Sequence, residues 1–142
     1  MTYQEKLKDP RWQKKRLKIL ERDDWACQKC FDTESTLHIH HRYYQKCDPW
    51  EYPDDALVTL CENCHEEEKE LRPIYEHDLL KMLKLNFLAE DVNILTEGFH
   101  CMPMLHCSSV VASAYSWALS DKEAQKELIE RYFKSIKGNK IV

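Results

Sequence analysis

Three spacings of apolar residues divide the chain. In "DPRWQKKRLKILERD" Trp12, Leu17 and Leu20 recur a helical turn or two apart behind Pro10, which predicts a first helix ending near Asp23. "TLHIHH" and "ALVTLC" are short apolar or β-branched runs separated by the Pro- and Asp-containing stretch 48–55, and they predict two strands joined by a long loop. "CHEEEKEL" then predicts a helix with glutamates in its first turn, where the helix dipole favours them. Beyond Arg72-Pro73 the pattern is helical throughout: "IYEHDLLKMLKLNFL", "AEDVNILTEGF", "SSVVASAYSWAL" and "SDKEAQKELIERYFKSI". Ser120 with Glu123 forms a capping box expected to start the last helix, and Gly138 is expected to end it.

The expected fold is therefore α+β and helix-rich, with residues 1–72 as one unit and 73–142 as a helical extension. Only two glycines among 142 residues, with 43% hydrophobic content, oppose an all-β fold and disorder alike. No apolar run approaches the roughly 18 residues of a spanning helix, so a soluble cytoplasmic protein with no membrane partner is expected.

Charge changes the picture through its distribution. The net charge of −4 speaks against nucleic acid, yet Lys6, Lys8, Arg11, Lys14, Lys15, Arg16, Lys18 and Arg22 face only Asp9 and Glu21 in the same stretch. Such a patch can neutralise phosphates whatever the total charge, with Lys14, Lys15 and Arg16 as the candidate contacts. A solvated helix face accounts for the charges equally well.

Four of the seven cysteines fall into two CxxC pairs, Cys27 with Cys30 and Cys61 with Cys64. Each pair sets two thiolates on one turn, and two such turns complete the tetrahedral shell that Zn²⁺ prefers. A closed four-sulfur site leaves no position for water, so its expected role is structural. Cys47, Cys101 and Cys107 lack such partners, and "HCMPMLHC" (100–107) reads as packing. The long spacer between the pairs holds His38, His40 and His41, and His65 directly follows Cys64. On an extended strand His38 and His40 share one face and His41 takes the other, until the strand ends. His40 and His65 are then able to converge on a second metal with His41 beside it as a base, since imidazole titrates near neutrality.

"RLKILERDDWACQKC", "LHIHH" and "LVTLCENCH" together resemble the HNH endonucleases, the ββα-metal nucleases, in the version braced by a four-cysteine zinc. The resemblance spans about half the chain, from near Trp12 to near Leu71. It implies His40 as first metal ligand, His41 as general base and His65 as the ligand at the head of the helix. The implied activity is hydrolysis of phosphodiester bonds in nucleic acid, DNA in the first place, with Mg²⁺ or Mn²⁺ as catalytic ion and 5′-phosphate and 3′-hydroxyl ends. Arg42, beside the base, is a candidate phosphate partner or a solvent-exposed loop residue. Two positions depart from the family pattern: Ala56 stands where an Asn usually braces the loop, and Lys69 where a further His is common. The alternatives are a zinc-braced nucleic-acid-binding module without cleavage, and a protein whose helices in 73–142 dock a protein partner.

Overall fold

The computed structural model describes residues 2–102 and 108–138. The chain is helix-rich α+β and forms two units, 1–86 and 87–142.

In the first unit α1 (Tyr3–Lys8) and α2 (Pro10–Arg22) meet at Asp9, whose carboxylate accepts the Arg11 N–H at 2.8 Å and so caps α2. Sequence periodicity gives no sign of α1, a six-residue helix held by a Thr2–Glu5 capping box. Strands β1 (Leu37–His41) and β2 (Leu57–Cys61) pair antiparallel, with Leu37 opposite Cys61 and His41 opposite Leu57. The core is small: Trp12, Ile19, Tyr52, Ala56 and Leu57 form one cluster, and Cys27, Val58, Leu60, Cys61 and Cys64 another.

The loop between the strands contains two short 3-10 turns, at Pro49–Glu51 and Asp54–Ala56. It is braced from α2. Lys15 and Lys18 each reach the Asp54 carboxylate at 2.5 Å, and Arg22 donates to the carbonyls of Asp54 (2.6 Å) and Leu57 (2.8 Å). Tyr52 adds an internal tie, its hydroxyl accepting the Gln45 N–H and donating to the Gln45 carbonyl. The buried Ala56 thus sits in a loop ordered by groups outside it. Trp50 packs against the core beneath the Arg11 guanidinium, which lies 3.9 Å from its ring centroid.

Asp23 closes α2 and joins it to β2. Its buried carboxylate accepts from Arg22 Nε (2.7 Å) and from the Thr59 backbone N–H (2.9 Å). Burial pushes this carboxyl up, but the hydrogen bonds from Arg22 and Thr59 outweigh it and hold the group below its usual range. Asp23→Ala is expected to cost about 2 kcal/mol in a denaturant titration, the scale of a lost charged hydrogen bond. Since the folded carboxyl titrates below the unfolded one, this contribution is complete above about pH 4 and disappears as pH falls through the folded value. The wild-type and variant stabilities should converge in acid.

Helix α3 (Glu62–Asn86) runs without a break through Pro73, so the boundary expected at Arg72-Pro73 lies inside a helix. Pro73 removes one helical hydrogen bond. Arg72 spans the position with ion pairs to Glu68 and to Glu76, which help hold the turns on either side. After Cys64 no described residue is buried.

The second unit comprises α4 (Ala89–His100), α5 (Ser108–Ser120) and α6 (Lys122–Gly138). The cap of α6 is Asp121, whose carboxylate accepts the Ala124 N–H at 2.8 Å, rather than Ser120. The Ser120 hydroxyl instead turns back to the carbonyls of Ser116 and Trp117, as a serine in a last helical turn can. Cys107 and most of the 100–107 motif lie outside the described residues, and Cys101 is exposed.

Candidate metal centre and histidine cluster

The four paired cysteines converge. One sulfur from each of Cys27, Cys30, Cys61 and Cys64 lies within 4.8 Å of every other, and Cys30 Sγ is 3.6 Å from Cys61 Sγ. A tetrahedral Zn²⁺ with Zn–S near 2.3 Å requires sulfurs about 3.8 Å apart, so the four fit one zinc. The first knuckle is a tight loop in which the Cys27 carbonyl accepts from Phe31 N–H (2.8 Å) and Cys27 N–H donates to the Asp32 carbonyl (2.9 Å). The second comes from the end of β2 and the first turn of α3, and Gln28 N–H joins the two by donating to the Thr59 carbonyl.

The electrostatics also call for a cation. Burial pushes the Cys27 thiol up, but backbone N–H groups of Cys61, Cys30 and Lys29 outweigh it and bring it down to about 6. Burial and the neighbouring cysteines push Cys64 strongly upward; at Cys30 the Asp32 N–H favours the thiolate, yet the neighbouring sulfurs and burial win and raise it. Four sulfurs in contact cannot all ionise unless a positive charge sits among them. The approach to the knuckle is strained as well. Asp24, Trp25 and Phe31 have φ of 52°, 52° and 64°, positions that glycine fills in most loops.

The histidines divide between the two faces of the sheet. His38 and His40 face α3. The His38 and His65 rings are near-parallel, 5.1 Å apart and 7° between planes, while His40 meets His65 edge-on at 5.4 Å and 77°. Both ring nitrogens of His40 and Nε2 of His38 are buried without a hydrogen-bond partner. Burial first and the facing imidazole second hold His40 and His65 below their ordinary values, the facing rings being His65 and His38 respectively.

His41 belongs to β1 to its last residue, so alternation carries its ring to the other face. There it lies among Trp12 (5.4 Å), Tyr52 (4.6 Å) and Tyr44 (5.6 Å), and burial lowers its pKa. It also lines a cavity of about 230 Å³ with Tyr3, Lys6, Tyr44 and Gln45. The fold therefore brings His40 and His65 together, adds His38, and sets His41 apart from them. His38 shares the face of His40 through their i,i+2 spacing, and its contact with His65 follows from where α3 begins.

The candidate phosphate contacts differ in their freedom. Lys15 is engaged with Asp54, and Arg16 donates to the Leu37 carbonyl at 3.3 Å. Lys14 and Arg42 are exposed, Arg42 contributing its backbone N–H to the Ala56 carbonyl at the closed end of the hairpin. Lys69, exposed, pairs with Glu66 at 2.9 Å. Among the described residues no helix is long and apolar enough to cross a membrane.

Compared with protein families, with characterised proteins and with solved structures, the chain matches none. What stands on the geometry is a small two-stranded sheet and helix joined by four cysteines positioned to bind one metal ion, consistent with structural zinc.

Proposed function

We propose that the chain is a metal-dependent endonuclease of the HNH type, hydrolysing phosphodiester bonds in nucleic acid, with DNA as the first substrate to test. The observation that carries this reading is His40: two buried ring nitrogens without partners, edge-on to His65 at the head of α3, on a strand pair and helix pinned by four cysteines. A buried imidazole with neither nitrogen satisfied is costly unless a ligand completes it.

His40 and His65 would hold a divalent ion, Mg²⁺ or Mn²⁺ by the resemblance. Bound there, such an ion supplies positive charge for a phosphate and for the leaving 3′-oxygen. The chain's own groups supply the rest. By the resemblance His41 would take the proton of the attacking water on a ring nitrogen, which requires the scissile phosphate to sit at the end of β1 within reach of both sheet faces. Arg42, next to His41, offers a planar, bidentate donor to phosphate. His41, otherwise buried, lines the cavity at the end of β1. The direct test is cleavage of plasmid, linear and single-stranded substrates with and without divalent metal; no metal-dependent cut on any of them overturns the proposal.

Lys14 and Arg42 are the exposed members of the candidate phosphate contacts. Replacing both with Gln is expected to weaken binding to all sequences alike. The slope of log K against log salt should fall by about 0.9 for each phosphate that is no longer neutralised. An unchanged slope returns α2 to a solvated face.

A second reading is favoured by one observation. His41 is packed between Trp12 and Tyr52 on the face opposite His40, as a structural histidine would be, which suits a zinc-braced nucleic-acid-binding module without cleavage. Binding without cleavage in the assay above identifies this case.

A further inference from the structure

We propose that His38, His40 and His65 together form a three-imidazole site for a borderline transition ion such as Zn²⁺, Ni²⁺ or Co²⁺. The inference builds on the metal role assigned above to His40 and His65, adds His38 as the third ligand, and replaces the Mg²⁺ implied by the resemblance with an ion suited to imidazole. Lys69, in the position where a further helix histidine would stand, is exposed and tied to Glu66, so α3 offers no second imidazole from that turn. The missing ligand comes instead from β1, two residues before His40.

The ring spacing carries the argument. Two imidazoles on one tetrahedral ion, with metal–nitrogen distances near 2.0–2.1 Å and each ring centre about 1 Å farther out, have centroids about 5 Å apart. The His38–His65 and His40–His65 separations are 5.1 and 5.4 Å. His65 thus stands at ligand spacing from both rings, while its near-parallel stacking on His38 and the His38–His40 pair still have to adjust. Among the described residues only the four cysteines have all their ligand atoms within 4.8 Å of one another, so the three imidazoles still have to close. Closing requires the His38 and His40 rings to turn, and no hydrogen bond restrains His38 Nε2 or either nitrogen of His40. Glu68, a turn beyond His65, is already paired with Arg72.

Ligand chemistry fixes the class of ion. Three neutral imidazoles suit Zn²⁺, Ni²⁺ and Co²⁺, whereas Mg²⁺ prefers oxygen ligands and dehydrates reluctantly. Three protein ligands on a tetrahedral ion leave one position for water or a phosphate oxygen.

The test uses the full chain with its cysteine site filled by zinc, titrated calorimetrically with Co²⁺, Ni²⁺ or Mg²⁺ alone. One further equivalent of Co²⁺ or Ni²⁺ should bind, with Mg²⁺ at least 100-fold weaker. His38→Gln, His40→Gln and His65→Gln should each weaken Co²⁺ at least tenfold, and Lys69→Gln should leave it unchanged. Unaltered melting of the His38→Gln protein establishes that any loss is one of ligation. His38→Gln binding Co²⁺ as the parent does, or no further equivalent in the parent, overturns the inference. A second ion that depends on all three histidines in a protein that cleaves nothing upholds this site while the nuclease reading fails.

Discussion

Cys27→Ser or Cys61→Ser is expected to remove one equivalent of zinc and to abolish cooperative unfolding of the first unit. The size of the effect follows from the core. Among the described residues the largest almost completely buried side chains are Ile19, Leu20, Leu57, Thr59 and Cys27, and Cys27 is itself one of the four cysteines positioned to bind the metal. Structural zinc at four cysteines contributes on the order of 10–16 kcal/mol at neutral pH, against a typical domain stability of about 5–15 kcal/mol. The left-handed backbone at Asp24, Trp25 and Phe31 adds a cost of order 1 kcal/mol or more per residue that a bound metal would help offset. Zinc content by atomic absorption and the near-ultraviolet circular dichroism of the aromatic side chains should fall together, in the variants and on adding a chelator. Stoichiometric zinc in a protein lacking all four cysteines would exclude the site.

Much of this unit is legible in the sequence because its signals are local. CxxC spacing sets sulfurs on turns whatever the rest of the chain does, and alternation in "LHIHH" gives the faces of His38 and His40. Periodicity points to Trp12, Leu17 and Leu20; the first and last are buried, while Leu17 is half exposed, since α2 meets the sheet along a narrower stripe. What the sequence hides is tertiary. Whether β1 ends before or after His41 decides which face its ring takes, and the pairing of His41 with Leu57 settles it. The loop brace is equally invisible: Ala56 suggests a loop without its usual support, while Arg22, Lys15 and Lys18 supply ties from α2 across more than thirty residues of chain. Those same ties engage several basic groups that the sequence alone leaves free for phosphate. Proline at 73 misleads for a related reason, because the Glu68–Arg72–Glu76 ion pairs that bridge it are seen only once the helix is built.

The histidine roles separate in one set of variants. If His41 is the general base, His41→Gln should lower the rate of metal-dependent cleavage by about 10²–10⁴-fold and leave nucleic-acid affinity within a few-fold, because only the proton acceptor is removed. Glutamine is the better first substitution, since His41 is buried between Trp12 and Tyr52. Alanine there opens a cavity and is expected to cost about 2 kcal/mol or more of stability, which would confound any loss of rate. Thermal melting of each variant sets the temperature at which rates are compared. His40→Gln and His65→Gln should instead raise the metal concentration required for half-maximal rate, as expected for ligands. Cleavage that survives His41→Gln but vanishes in His38→Gln at saturating metal would move the base to the α3 face of the sheet, where His38 already meets His65. Rates unchanged by His41→Gln in a fully folded protein would make that residue part of the aromatic core and nothing more.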